Sequence, residues 1–210
     1  MTTTDGPGTR MAEESGFAGG LARRGFVVAR HGLDDGLVDA LRNRARERDA
    51  SSEFATAHVG RGGARERHGD IRGDRIAWID TASAVACEAA LLATLEGLRL
   101  DVNRGLALGA FELEAHYAIF PPGARYVRHV DRFRDDDARV LSVVAYLNDD
   151  WREADGGALR IHLPDGAYDV LPEGGTVVAF LSASIEHEVL PARRERLAIA
   201  GWFRRRKTRP

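Results

Sequence analysis

Tyr126-Val127-Arg128-His129-Val130-Asp131 decides the reading of this chain, together with Ile185-Glu186-His187-Glu188-Val189-Leu190 far downstream. Along an extended strand successive side chains alternate faces, so His129 and Asp131 project the same way. One imidazole nitrogen and one carboxylate oxygen, joined by a third ligand from a distant strand, give the facial set that holds non-haem Fe(II) and leaves other coordination positions open. His187 is the candidate third ligand. Nine residues beyond it stands Arg196, heading the apolar run Leu197-Ala198-Ile199-Ala200-Gly201-Trp202-Phe203. A guanidinium there is costly unless it meets an anion.

Strand parity extends the candidate site. In residues 139–147 Ser142, Val144 and Tyr146 share one face, and Leu141, Val143, Ala145 and Leu147 share the other. Both faces are largely apolar, which marks a buried strand. In the last strand Arg196, Ala198, Ala200 and Trp202 share a face. If the two strands line one cavity, Arg196 and Tyr146 bind a carboxylate together, the first by charge and the second by its hydroxyl. The order His-x-Asp, a long gap, His and then Arg points to an iron-dependent oxygenase that uses 2-oxoglutarate.

The rest of the chain fits one domain. Its 210 residues allow a sizeable core, and 44% hydrophobic with 30% charged residues is ordinary globular composition. A net charge of -2 argues against a general nucleic-acid binder and against nucleic-acid demethylation, which needs a basic groove. Cys87 is the single cysteine, so no intrachain disulfide forms and a reducing compartment is expected. Residues 1–15 read as a loose tail, neither signal peptide nor anchor. No stretch approaches the roughly 20 apolar residues that span a bilayer, so a soluble, cytoplasmic protein is expected.

In order, residues 25–29 suit a strand, and Leu33, Leu37, Leu41 and Ala45 recur at helical spacing, with Arg42, Arg46, Glu47 and Arg48 on a wet opposite face. Residues 59–69 are charged and glycine-rich and read as a substrate-covering flap. Ser83 is the expected N-cap of a second helix that ends near Gly97. Thereafter the pattern is about eight short strands separated by Gly, Pro and Asp turns. The expected fold is mainly β with supporting helices: helical support over 16–109, a double-stranded β-helix (jelly roll) over about 54–204, and a basic tail at 205–210.

At these residues the chain resembles the prolyl 4-hydroxylases of the hypoxia-inducible-factor type and their bacterial relatives. The resemblance runs from Ile71-Arg72-Gly73-Asp74 with Trp78-Ile79, through Tyr126 to Asp131, Tyr146-Leu147-Asn148 with Trp151, and Gly156-Gly157 with Leu159-Arg160-Ile161, to His187-Glu188-Val189 with Pro191, and Arg196 with Trp202. It implies Fe(II) on His129, Asp131 and His187, and 2-oxoglutarate on Arg196 and Tyr146. It further implies O2 as co-substrate, ascorbate as reductant, and Arg72, Arg128 and Trp202 as substrate-binding residues. The implied reaction hydroxylates a prolyl residue in a protein, with elongation factor Tu a candidate, and releases succinate and CO2. Free proline or another small molecule is the alternative substrate. A non-catalytic metal-binding sensor jelly roll is the alternative outside catalysis.

Two positions depart from the family pattern. Phe120 stands where the family usually has Tyr, and Ala200 where it often has a hydroxylated residue. His116 shares parity with Phe120 and would then reach the pocket, but with Glu112 and Glu114 close by a solvent-facing position is the expectation. His31, His58, His68 and His162 read as structural or surface groups.

Overall fold

A computed structural model describes residues 7–57, 72–132 and 138–206. The expected flap at 59–69 and the end of the basic tail lie outside them. Among the described residues eleven strands form two antiparallel sheets, named in chain order: β1 Phe26–Ala29, β2 Ala55–Thr56, β3 Arg75–Trp78, β4 Glu112–Phe120, β5 Tyr126–His129, β6 Arg139–Tyr146, β7 Leu159–Leu163, β8 Gly166–Val170, β9 Val177–Leu181, β10 Glu186–Val189 and β11 Arg196–Arg204. The larger sheet has the order β1-β9-β6-β11-β4-β3-β2, and the smaller β5-β10-β7-β8. Strands β4 to β11, the run expected from the turn spacing, make the jelly roll. Three helices, α1 Pro7–Arg24, α2 Asp35–Ala50 and α3 Ala86–Leu106, buttress the larger sheet.

Period-two alternation divides the core. On β4, Ala115, Tyr117 and Ile119 pack toward the helices with Leu41, Leu91 and Leu95. Ala118 and Phe120 point the other way, into a cluster between the sheets with Tyr146, Ile161, Phe180 and Ala198. β6 and β11 divide likewise: Leu141, Val143, Leu197 and Ile199 join the helical side. Helices cover one face of the large sheet, and the small sheet covers the other. The site lies in that second layer.

The helices differ from their sequence reading at their ends. Residues 7–15, expected as tail, belong to α1, where Pro7 suits the first turn and Arg10-Met11-Ala12-Glu13-Glu14 are good helix formers; the helix is broken at Gly16 (φ 62). α3 continues past Gly97 because Leu98 and Val102 keep the apolar period and are buried. A glycine inside a helix costs about 1 kcal/mol relative to alanine, which such burial exceeds. Ser83 does not cap α3: Val85 occupies the cap position, and Ser83 Oγ instead donates to Glu88 Oε2 at 2.5 Å. The face of α2 expected to be wet is in part closed, since Arg48 is 12% exposed and pairs with Glu53 and Glu88. At the far end Arg206 lies over the ring of Phe111, 3.8 Å from its centroid, so that part of the basic tail is docked.

Leu141 is fully buried at the centre of the helical-side core. Leu141→Ala is expected to lower unfolding free energy by about 2–5 kcal/mol with an unchanged denaturant slope, measured by urea titration.

Candidate metal centre and anion site

The small sheet builds the metal centre through register. His129 of β5 is the direct antiparallel partner of His187 of β10, so both rings stand on one face of adjacent strands. Asp131 follows β5 on the same parity. The candidate ligand atoms of all three lie within 4.8 Å of one another. His129 Nε2 is 3.5 Å from Asp131 Oδ1, and His187 Nε2 is 3.7 Å from Asp131 Oδ2.

Backbone carbonyls orient both imidazoles. His129 Nδ1 lies 2.7 Å from the Val127 carbonyl oxygen, and His187 Nδ1 lies 3.1 Å from that of Ile185. A carbonyl oxygen only accepts, so Nδ1–H is the donor in each ring and the Nε2 lone pairs are left for a metal. Aromatic packing holds the rings: Tyr126 stacks on His129 at 3.7 Å, and Phe180 packs against His187 at 4.5 Å between centroids. Burial opposes the charge of Asp131, but attraction to His187 and His129 outweighs it and holds the carboxyl well below the usual range. Burial pushes His187 downward, toward the neutral ligand form. One carboxylate and two imidazoles on one face fit a divalent ion such as Fe(II).

Across the same cavity lies Arg196, 2% exposed. Its Nε donates to the Gly157 carbonyl at 3.0 Å, and no carboxylate of the described residues pairs with it. Its guanidinium carbon is 5.2 Å from the Phe120 ring centroid and 5.0 Å from that of Tyr146. Burial pushes its pKa down, against the weaker pull of Tyr146 and of the Asp74 carboxylate. The Tyr146 hydroxyl is buried with no hydrogen-bond partner. A buried cation beside a hydroxyl with no partner has the chemistry to hold a carboxylate. Gly157 keeps its geometry: at φ 71, a Cβ would meet Ala192 Cβ at 2.8 Å and Arg196 Cδ at 3.4 Å. Phe120 supplies an apolar wall in place of a further hydroxyl.

The candidate substrate residues part company. Arg72 lines the cavity, yet its guanidinium is held by Asp74, Nε to Oδ1 at 2.6 Å and Nη2 to Oδ2 at 2.9 Å. Trp202 also lines the cavity and is 7% exposed. Arg128 does not: it alternates with His129, is exposed, and pairs with Glu186 on the outer face. His116, expected at the surface, is 1% exposed and lines the cavity. Its parity with Ala118 and Phe120 was the better guide, because the neighbouring Glu114 sits at the edge with Arg139 and Arg204. Asp74 is the cavity residue that sequence reading left without a role; its nearness to Arg72 in the chain was the available signal.

Two outcomes are expected. His187→Ala removes a direct ligand and should weaken Mn(II) binding by more than about a hundredfold, measured by calorimetry, since even residues that only support a ligand contribute about 10–100-fold. Arg196→Met removes an uncompensated buried charge and should leave the ligand-free melting temperature unchanged or higher, while abolishing the upward shift caused by 2-oxoglutarate. A variant that melts lower yet keeps the shift would contradict the anion assignment.

Residues 115–204 match the 2OG-Fe(II) oxygenase superfamily. A prolyl-4-hydroxylase from Pseudomonas putida is 48% identical, with 90% of this chain and 97% of that one superposing at a TM-score of 0.81. A prolyl hydroxylase from Trichoplax adhaerens, solved with a hypoxia-inducible-factor oxygen degradation domain peptide, is 25% identical over 93% of this chain and 90% of that one, at a TM-score of 0.79. Human Egl nine homolog 1 is 36% identical over 146 residues, which are 64% of this chain but only 33% of that protein. The chain matches about a third of that relative's length and nearly all of the bacterial one. With the metal set and the buried arginine facing one cavity, and a close bacterial relative matched along almost its whole length, the chain belongs to the 2OG-Fe(II) oxygenase superfamily and, within it, to the prolyl 4-hydroxylases.

Proposed function

We propose that this protein is an Fe(II)- and 2-oxoglutarate-dependent dioxygenase that hydroxylates a prolyl residue in a protein substrate. The observation that carries the reading is the placement of the facial set His129, Asp131 and His187 in one cavity with the buried, uncompensated Arg196. His129, Asp131 and His187 would hold Fe(II), and Arg196 with Tyr146 would hold the far carboxylate of 2-oxoglutarate. That assigns the two ends of a five-carbon diacid to the two polar ends of the cavity.

When bound, Fe(II) supplies activation of O2, with one oxygen atom entering succinate and the other the substrate C–H bond. Overall, 2-oxoglutarate, O2 and a prolyl C–H give succinate, CO2 and hydroxyprolyl. The chain's own residues do the rest. Val127 and Ile185 carbonyls fix the tautomers of the ligating rings. The Gly157 carbonyl steers the Arg196 guanidinium. Phe120, Ala198 and Phe180 wall the cavity with apolar surface, which keeps bulk water from the reacting centre. Trp202 and Arg72 border the substrate side, with Arg72 acting through its pair with Asp74. Arg128, on the outer face, would meet only parts of a protein substrate that extend beyond the cavity.

A protein substrate is supported by the peptide complex of the Trichoplax relative. Elongation factor Tu is the candidate we carry forward. A reducing, cytoplasmic setting and ascorbate as reductant belong to the proposal; Cys87 is unpaired, and among the described residues no helix is long and apolar enough to cross a membrane.

The test is mass spectrometry of a lysate from the source organism incubated with the protein, Fe(II), ascorbate and 2-oxoglutarate. One prolyl peptide, from elongation factor Tu, should gain the mass of one oxygen atom, and a His129→Ala control should show none. Succinate formation with no prolyl peptide modified would refute protein prolyl hydroxylation.

A further inference from the structure

His116 lines the cavity but belongs to neither the metal set nor the anion site. On the facing strands β4 and β11 the cavity residues form rungs: Phe120 opposite Arg196, Ala118 opposite Ala198, His116 opposite Ala200. His116 thus stands two rungs from the arginine. Its cross-strand partner on β11 carries only a methyl group, while on β3 it is paired with Trp78. Beyond it the next residue of β11 on that face is Trp202, whose ring is 5.4 Å from His116 between centroids. On the other side Trp78, 49% exposed, meets the imidazole edge-on at 5.1 Å. The imidazole is therefore bracketed by an exposed indole, Trp78, and a buried one that lines the cavity, Trp202.

Its hydrogen bonding is half complete. His116 Nδ1 lies 3.1 Å from the Tyr117 carbonyl oxygen and so carries the proton. Burial, helped by the charge of Arg72, pushes the imidazole pKa down to about 4, so the ring is neutral at physiological pH. Nε2 is then a bare acceptor, with no donor among the described residues. Trp202 Nε1–H is the converse, a buried donor with no acceptor. Arg72 and Asp74 nearby satisfy each other and offer no free charge. What this wall lacks is one neutral N–H and one neutral carbonyl.

We propose that His116 Nε2 and Trp202 Nε1–H form a neutral recognition site for a peptide group, the imidazole accepting from a substrate N–H and the indole donating to a substrate carbonyl. This deepens the prolyl hydroxylase reading and rests on it for the identity of the reacting residue. It selects proline within an amide-linked chain over the free amino acid, whose carboxylate would meet the Nε2 lone pair and find Arg72 already paired.

The test is calorimetric titration of the holoprotein, loaded with Fe(II) and 2-oxoglutarate under nitrogen, using N-acetyl-L-proline N-methylamide and free L-proline as probes. The diamide should bind at least about tenfold more tightly than free proline. His116→Phe, which keeps a ring but removes the acceptor, should weaken diamide binding about five- to tenfold, and His116→Gln, which restores an acceptor, should recover most of it. Free proline binding as tightly as the diamide, no diamide binding, or equal behaviour of the Phe and Gln variants would each overturn the assignment. Because no turnover is needed, the outcome is separable from the lysate experiment: prolyl peptides that gain oxygen while diamide binding ignores residue 116 would refute the His116 role alone.

Discussion

Antiparallel register between β5 and β10 is the constraint on which the site depends. It sets His129 opposite His187, and the alternation of the strand brings Asp131 onto the same face. A slip of one residue would turn one imidazole to the outer surface, where Arg128 and Glu186 now pair. Apolar residues two positions apart along the small sheet guard against that slip. Leu159 and Ile161 of β7 and Val189 of β10 are buried against the large sheet. The packing that makes the core therefore also makes the metal centre, with no separate scaffold for it.

The large sheet contributes the complementary half. Its inner face carries small residues, Ala118, Ala198 and Ala200, where the cavity must stay open, and one cation where an anion must end. Burial of Arg196 without a carboxylate is unfavourable in the ligand-free protein. In the proposed reading a dicarboxylate would recover that cost, and selectivity for the co-substrate would rest on this unpaired charge. Arg72 shows the opposite arrangement, since Asp74 satisfies it in advance and leaves a wall without free charge.

Much of this was legible in the chain because strands report their faces directly. The parity of residues 129 and 131, of 142, 144 and 146, and of 196 to 202 placed the site residues on the two inner faces before any coordinates. The same rule, applied one residue earlier, would have turned Arg128 outward, and applied along β4 it would have turned His116 inward. Only the His116 expectation strayed, because nearby glutamates mask the alternation; an outward Arg128 still fits a surface or substrate-facing residue. Helix ends were less legible. Gly97 reads as a stop only until the burial of Leu98 and Val102 is known, and Ser83 reads as a cap only until Glu88 is seen to claim its hydroxyl. Those are tertiary contacts, and no local pattern encodes them.

Metal set and anion site work as one only if the co-substrate bridges them, and calorimetric titration of 2-oxoglutarate and glutarate into the protein with and without Mn(II) reads that bridge directly. Glutarate keeps both carboxylates but lacks the oxo group that completes chelation. The predicted result is a large metal-dependent gain in affinity for 2-oxoglutarate and a much smaller one for glutarate. An affinity for 2-oxoglutarate that is the same with and without metal would contradict a shared site.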